Sequence, residues 1–239
     1  MFYLIGLGLN EKGYSREAYD SVEKSEKIYV ENYTVDFPYD FSVLEKQFKE
    51  KKLIPADREF VESMKILEEA KKKNVALLVY GNPLMATTHI SLIEEAKKRK
   101  IKFSVIHGTS ILDAVSETGL QIYKFGKITS MPAWIPKKKF TPESFMEVVK
   151  ENLSIDAHTL ILIDVGLRFS DALNELKIAG KNKNIKFEKI LVCQKLGTDK
   201  NKIFYDDISK LEEKKVQSPF CIIIPGKLHF IESEFLDNF

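Results

Sequence analysis

Short apolar runs of strand length alternate with longer segments of helical periodicity along almost the whole chain. In residues 61–73, for example, Val61, Met64, Leu67 and Ala70 recur every third position, which is a helical stripe. The pattern of the first half predicts strands at residues 1–6, 27–30, 75–80 and 101–106, and helices at residues 15–26, 61–73, 88–100 and from residue 110 onward. Such alternation of strands and helices is typical of an α/β protein.

The pattern changes near residue 120, where a predicted strand leads into a loop that contains three prolines within residues 131–142. The second half then resumes the alternation, with predicted strands at residues 123–130, 159–164, 189–193 and 220–224 and predicted helices at residues 142–153, 168–179 and 206–214. We therefore expect a domain boundary within residues 112–125. The prediction is two α/β domains, an N-terminal one at residues 1–115 and a C-terminal one at residues 116–239.

Composition supports a folded chain with almost no excess charge. Of 239 residues, 44% are apolar, and 37 basic residues against 35 acidic ones leave a formal net charge of +2. Disordered chains have low hydrophobicity and a high net charge, so this composition excludes that class. Proteins held on nucleic acid by bulk electrostatics carry a concentrated basic surplus. We expect no direct nucleic-acid partner.

Three further features point to a cytoplasmic protein without a membrane segment or a metal site. Cys193 and Cys221 are the only cysteines, too few for a disulfide framework or a four-cysteine zinc site. The N-terminus MFYLIGLGLN lacks the basic region of a signal peptide. Residues 74–93 carry no Asp, Glu, Lys or Arg, but Gly, Asn, Pro, Thr and His lie at their centre, where a membrane helix is most apolar.

The four histidines, His89, His107, His158 and His229, lie in separate segments without the spacing of a metal site. The chain also has no G-x-S-x-G and no H-E-x-x-H, the motifs of common serine and zinc hydrolases. Hydrolase chemistry based on these motifs is therefore not indicated.

A dinucleotide site would need three glycines after the first strand, in the pattern G-x-G-x-x-G. Gly6 and Gly8 match, but Glu11 occupies the third position and would place a carboxylate beside the phosphates. Glu31 lies where a ribose-binding acid would be expected, so a Rossmann-like nucleotide site stays open. S-adenosylmethionine has no phosphate and suits apolar loops that follow strands, here residues 7–9, 81–85 and 109–111.

Five segments carry a specific resemblance: MFYLIGLGLN, GNPLMATTHISL, HGTSILDAVSETGLQIYKFG, HTLILIDV and PGKLHFIESEFL. In this order and spacing they resemble the diphthine synthase family of the tetrapyrrole methylase superfamily, from one end of the chain to the other. The resemblance implies two α/β domains with S-adenosylmethionine in the cleft between them, and a homodimer. It also implies methylation of the amino group of a 3-amino-3-carboxypropyl-histidine on elongation factor 2. The compact chain is similar to the archaeal type, which adds three methyl groups; the ester-forming eukaryotic type is a lesser alternative.

The resemblance also implies which residues contact the cofactor. Carried over position by position, the contacts fall on Leu9, Asn82, Met85, Ser110, Ile111, Ile163, Leu196 and Phe220. Two of them depart from the family pattern, because Asn82 stands where Asp is usual and Phe220 where His is common. Loss of the Asp charge predicts weaker cofactor binding. The apolar members of the set lie at strand ends, where they would equally suit core packing.

Methyl transfer to an amine is an in-line displacement that needs positioning and an unprotonated nitrogen. The sequence does not identify a catalytic residue; Thr87, Thr88, His89 and Asp164 are candidates to accept a proton. Two alternatives stay open. One is a methylase of the same superfamily that acts on a tetrapyrrole or on ribosomal RNA, and the other is a non-catalytic module that binds an adenosine ligand.

Overall fold

A computed structural model describes residues 1–49 and 51–239. The chain forms two compact units, Met1–Asp113 and Ala114–Phe239, each with its own sheet. Within the described residues, no helix is both long and apolar enough to cross a membrane. The two cysteines are free and buried.

The first unit contains a parallel sheet. Its strands are β1 (Phe2–Gly6), β2 (Lys27–Glu31), β3 (Leu53–Ala56), β4 (Val75–Val79) and β5 (Phe103–Ile106). They lie in the order β3-β2-β4-β1-β5, and every neighbouring pair is parallel. Every residue of β1 and β4 is buried, as expected for central strands covered by helices on both faces.

Helices cover both faces of this sheet. They are α1 (Arg16–Glu23), α2 (Phe41–Gln47), α3 (Arg58–Glu62), α4 (Lys65–Ala70) and α5 (Ile90–Lys98). The short helix α6 (Ile111–Ala114) follows β5 and ends at the first residue of the second unit. The helices α1 and α2 pack in one apolar cluster with Ile5, whereas α4 and α5 pack in another with Leu4. The chain therefore leaves the neighbouring strands β1 and β4 toward opposite faces. Such a reversal opens a crevice at the carboxyl ends of the two strands, where α/β proteins bind ligands.

Two predictions for the first unit need correction. The helix predicted at residues 61–73 is wrong as a single element, because Met64 adopts a left-handed backbone with φ of 61° and separates α3 from α4. The strand β3 was not predicted, since Pro55 lies within it. An edge strand tolerates proline because one side of the strand has no hydrogen-bonding neighbour.

The second unit contains a mostly antiparallel sheet. Its strands are β6 (Thr129–Met131), β7 (Thr159–Ile163), β8 (Ile190–Gln194), β9 (Lys202–Asp206) and β10 (Phe220–Ile224), and its helices are α7 (Ser144–Leu153), α8 (Phe169–Asn182), α9 (Ile208–Leu211) and α10 (Phe230–Leu236). The strand order is β6-β7-β10-β8-β9. The pair β6/β7 is parallel and the other pairs are antiparallel. The helices α7 and α8 supply much of the core.

The strand predicted at residues 123–130 is wrong over most of its length. A single 3-10 turn, Ile122–Lys124, precedes β6, which begins at Thr129. The predicted strands at residues 159–164, 189–193 and 220–224 are confirmed as β7, β8 and β10. The sequence did not predict α10, although it begins with a capping box in which His229 and Glu232 satisfy each other's backbone groups.

A buried carboxylate ties α10 to the rest of the second unit. Glu232 is fully buried and accepts hydrogen bonds from Lys124 Nζ at 2.5 Å, from Gln121 N at 2.8 Å, from His229 N at 2.7 Å and from His158 Nε2 at 3.2 Å. Burial alone would raise the pKa of Glu232, but these four donors outweigh it and lower the pKa to about 2. The Glu232 network is therefore a charged, fully bonded centre within an apolar unit.

Candidate active site

Three loops meet at the carboxyl edge of the first sheet because β4, β1 and β5 are neighbours. The loops after β1 and β4 pair directly: Gly8 N donates to Gly81 O at 3.2 Å, and Gly81 N donates to Gly8 O at 2.9 Å. The hydroxyl of Tyr80 donates to the carbonyl oxygen of Leu9 at 2.7 Å. The structure thus brings together the loops that the sequence singled out for cofactor binding.

Two glycines shape this meeting point. A Cβ on Gly108 would lie 2.5 Å from Gly81 O and 2.7 Å from Gly8 N, so only glycine permits the third loop to approach the other two. Gly81 has a φ of +74°, a backbone conformation that glycine adopts without strain, and a Cβ there would be in ordinary contact with Leu9, Thr109 and Ser110 at 3.8 to 3.9 Å.

Asn82 connects the second and third loops. Its Nδ2 donates to Gly108 O at 3.2 Å and lies 3.1 Å from Nδ1 of His107. Its Oδ1 accepts from Leu84 N at 3.1 Å. These contacts use both the donor and the acceptor ends of the amide. An Asp at this position would have no proton to donate to Gly108 O.

The other predicted cofactor contacts of the first unit differ in their solvent exposure. Leu9 and Ser110 are buried, Ile111 is half-buried and Met85 is 47% exposed. The hydroxyl of Ser110 donates to Asp113 Oδ2 at 3.0 Å and accepts from Leu112 N at 3.1 Å. This side chain therefore stabilises the start of α6. Of these four residues, Met85 is the most exposed.

The predicted residues of the second unit share one edge of their own sheet. Ile163 ends β7, Leu196 follows β8 and Phe220 begins β10. Because β10 is antiparallel to β7 and β8, its first residue lies beside their last ones, with Phe220 opposite Gln194. Leu196 and Phe220 are buried and Ile163 is half-buried.

The four candidate proton acceptors differ in their exposure and in their hydrogen-bond partners. Asp164 is exposed, and its carboxylate accepts from the backbone N–H groups of Ala133 and Val165 at 3.2 and 3.0 Å. The hydroxyl of Thr87 donates to Pro83 O at 2.7 Å, and Thr88 is exposed. His89 is 1% exposed, with Nδ1 3.2 Å from Pro83 O and Nε2 3.2 Å from the hydroxyl of Tyr33.

The sequence analysis did not identify Tyr33, and it left a ribose-binding role for Glu31 open. The carboxylate of Glu31 is buried and accepts from Thr34 N at 3.2 Å, from Tyr33 N at 3.4 Å and from the hydroxyl of Thr34. The carboxylate therefore stabilises the turn formed by residues 31–34. Its oxygens are already engaged there, which does not favour a ribose-binding role. Tyr33 follows β2, a neighbour of β4, but the order of strands that makes it a neighbour of His89 is not visible in the sequence. Across residues 1–49 and 51–239, no group of three or more His, Cys, Asp or Glu side chains could hold a metal ion.

Comparisons with known proteins identify the family. The sequence profile of the Tetrapyrrole (Corrin/Porphyrin) Methylases matches residues 1–212. The chain is 38% identical to diphthine synthase of Methanocaldococcus jannaschii, over 99% of this chain and 97% of the relative. It is 40% identical to diphthine synthase of Staphylothermus marinus, over 100% of this chain and 92% of the relative.

Solved structures agree with the sequence match. A crystal structure of diphthine synthase superposes with a TM-score of 0.89 at 30% identity, covering 100% of this chain and 95% of that one. A protein of Aeropyrum pernix, 24% identical, shares the fold with a TM-score of 0.85 over 100% of this chain and 88% of that one. The chain therefore belongs to the diphthine synthases of the tetrapyrrole methylase family and is an S-adenosylmethionine-dependent methyltransferase of diphthamide biosynthesis.

Proposed function

We propose that this enzyme methylates the amino group of the 3-amino-3-carboxypropyl-histidine of translation elongation factor 2, adding three methyl groups. The observation that carries the proposal is the match to diphthine synthases over essentially the full length of both chains. The compact chain, which resembles the archaeal type, supports three methyl groups on nitrogen over the additional methyl ester. A protein substrate also suits the nearly balanced charge.

The edge of the first sheet suits the cofactor chemically. S-adenosylmethionine supplies an electrophilic methyl group on a sulfonium, attached to an adenosine and an amino acid. We propose Leu9, Asn82, Met85, Ser110 and Ile111 as its contacts in the first unit, and Ile163, Leu196 and Phe220 as its contacts in the second. No phosphate has to be accommodated, which agrees with the absence of a third glycine at Glu11.

In this function the protein mainly positions and desolvates the reactants. The loops after β1, β4 and β5 are held by backbone hydrogen bonds and by Asn82, so their geometry is set before a ligand binds. Preorganised positioning of this kind can supply several kcal/mol of barrier reduction. The substrate nitrogen must be unprotonated to attack, and an apolar surrounding favours the neutral amine.

Mass spectrometry of elongation factor 2 tests the proposal directly. The factor, carrying the unmethylated modified histidine, is incubated with the enzyme and S-adenosylmethionine, and with S-adenosylhomocysteine as the matched control. Three added methyl groups on that histidine are expected. Four would support the ester-forming alternative, and none would refute the proposed substrate and favour either a different methylase substrate or a non-catalytic binding module.

Two further properties belong to the same proposal. We propose that the active enzyme is a homodimer, as the resemblance implies, and that it works in the cytoplasm, where elongation factor 2 is found. Analytical ultracentrifugation of the purified chain tests the first point. A single species with the mass of one 27.5 kDa chain at micromolar concentration would contradict it.

A further inference from the structure

Tyr33, His89 and Glu31 form a cluster of polar side chains at the carboxyl edge of the first sheet. Glu31 ends β2 and Tyr33 follows it, while His89 lies at the end of the loop that begins with Asn82. His89 joins Tyr33 to that loop, because Nε2 of His89 lies 3.2 Å from the hydroxyl of Tyr33 and Nδ1 lies 3.2 Å from the carbonyl oxygen of Pro83. The cluster is thus part of the same edge as the proposed cofactor contacts.

The hydrogen bonds of His89 fix the direction in which Tyr33 donates. A carbonyl oxygen can only accept, so Nδ1 of His89 must carry the proton that it shares with Pro83 O. In the neutral ring Nε2 is then an acceptor, and the hydroxyl of Tyr33 at 3.2 Å donates to it. With its single proton engaged, the oxygen of Tyr33 can offer only lone pairs to a ligand.

The surrounding charges maintain this arrangement at neutral pH. Burial lowers the pKa of His89 and outweighs the opposing effects of Glu31 and of the Pro83 carbonyl. Burial, together with Glu31 and Glu62, raises the pKa of Tyr33 to about 12, although the guanidinium of Arg58, 5.2 Å from the ring centre, acts in the opposite direction. A neutral imidazole and a protonated phenol are therefore the stable pair.

We propose that Tyr33 is a catalytic residue whose oxygen accepts a hydrogen bond from an N–H of the substrate amine, and that His89 is the positioning residue that keeps this oxygen an acceptor. The inference rests on the proposed function. In each transfer the nitrogen lone pair forms the new N–C bond, the C–S pair leaves with sulfur, and the nitrogen becomes cationic. Positive charge on the nitrogen strengthens the hydrogen bond from its N–H to the oxygen of Tyr33. Because this bond is stronger in the transition state than in the ground state, it accelerates the reaction. The excess proton leaves to water before the next transfer.

This mechanism depends on the number of N–H groups that remain. The unmethylated amine has two and the monomethyl amine has one, so Tyr33 can assist both. The dimethyl amine has none, so the third transfer proceeds without its help. A catalytic Tyr33 therefore affects the first two transfers and not the third, whereas a merely structural role would affect all three alike.

The test compares single-turnover rates of the three transfers, followed by mass spectrometry, in the parent enzyme and in Tyr33→Phe. We expect the first and second transfers to slow roughly tenfold to a hundredfold, the range for losing a hydrogen bond to a charged group, and the third to stay unchanged. Tyr29→Phe is the matched control, because Tyr29 lies in β2 and its hydroxyl also donates a hydrogen bond, to the carboxylate of Glu69 at 2.9 Å. It should leave all three rates unchanged.

Variants of His89 separate positioning from folding. In His89→Gln the amide can still donate to Pro83 O and accept from Tyr33, so most of the rate should be retained. In His89→Leu the hydroxyl of Tyr33 loses its acceptor and can turn its proton toward the amine lone pair, which should slow the first two transfers as in Tyr33→Phe. Cofactor affinity measured by calorimetry should stay near that of the parent in Tyr33→Phe.

A spectroscopic measurement tests the geometry without turnover. With ¹⁵N-labelled histidine, the resonances of His89, assigned by their loss in His89→Gln, should show a protonated Nδ1 and an unprotonated Nε2 at pH 7. The opposite tautomer would overturn the inference, as would equal slowing of all three transfers or no slowing at all in Tyr33→Phe. If the parent enzyme itself transfers no methyl group, the proposed function fails first, and the inference falls with it.

Discussion

The replacement Glu232→Gln is expected to be severely destabilising although it changes a single atom. Each carboxylate oxygen of Glu232 accepts two hydrogen bonds: Oε1 from Gln121 N and His158 Nε2, and Oε2 from Lys124 Nζ and His229 N. A glutamine replaces one oxygen by an NH₂ group that cannot accept. Two donors then lose their partner in a fully buried site, and Lys124 loses its counter-charge.

The structure sets the magnitude. A pKa of about 2 against an ordinary value of 4.5 corresponds to about 3 kcal/mol in favour of the charged form. Breaking a buried ion pair by removal of one partner costs about 3–5 kcal/mol, which agrees. The expected loss in the free energy of unfolding is therefore about 3 kcal/mol, or roughly 6–12 °C in melting temperature for a chain of this size.

Urea denaturation of the full chain at pH 7 measures the effect, with Glu234→Gln as the matched control. Glu234 lies two positions further along α10 and is exposed, so its replacement should change stability by less than about 0.5 kcal/mol. If Glu232→Gln were as stable as this control, the network would contribute nothing net and the reasoning would be refuted. Acid titration adds a second check: because the pKa is lowered on folding, the contribution of Glu232 is present above pH 4.5 and is lost as the pH falls toward 2.

Three further predictions concern the two units. Gly108→Ala would place a Cβ 2.5 Å from Gly81 O, so the three loops should separate; calorimetry should show loss of S-adenosylmethionine binding, and retention of parent affinity would contradict the packing. Asn82→Asp removes the donor to Gly108 O, so cofactor affinity should fall by roughly tenfold rather than rise as the added charge alone suggests; tighter binding would show that charge dominates. Burial lowers the pKa of both His89 and His158, so as the pH falls the unfolded chain binds protons at a higher pH than the folded chain does. The free energy of unfolding should therefore decrease as the pH drops below about 6.5. Urea midpoints at about pH 7.5 and 5.5 measure this decrease, and equal midpoints would exclude it.

Much of the fold follows from local patterns in the sequence. The apolar runs at residues 1–6 and 75–80 are the fully buried strands β1 and β4, and the loops singled out for a cofactor are the loops that meet at their ends. Local patterns fail to predict an element where a single backbone angle or the tertiary context determines its extent. The left-handed conformation of Met64 divides a helix whose apolar spacing continues without interruption.

The candidate site was only partly predictable for a different reason. Asn82 and Gly81 lie in one recognisable loop, so their proximity to Gly108 follows once β4 and β5 are known to flank β1. Tyr33 becomes a neighbour of His89 only because β2 lies beside β4, although β4 comes later in the chain than both β2 and β3. Strand order of this kind depends on which helices cover which face, and no local pattern in the sequence encodes it.

The segments that identify the family have two physical roles. GNPLMATTH and HGTSI form the edge of the first sheet, where they are held by the glycine contacts and by Asn82. In contrast, GLQIYKFG, HTLILIDV and PGKLHFIESEFL supply Lys124, His158 and Glu232, which meet in the network of the second unit. A buried carboxylate with four donors allows little substitution at any of them, because each change leaves a partner unsatisfied. Residues that are specific to a family can therefore mark the architecture of a unit as strongly as they mark its chemistry.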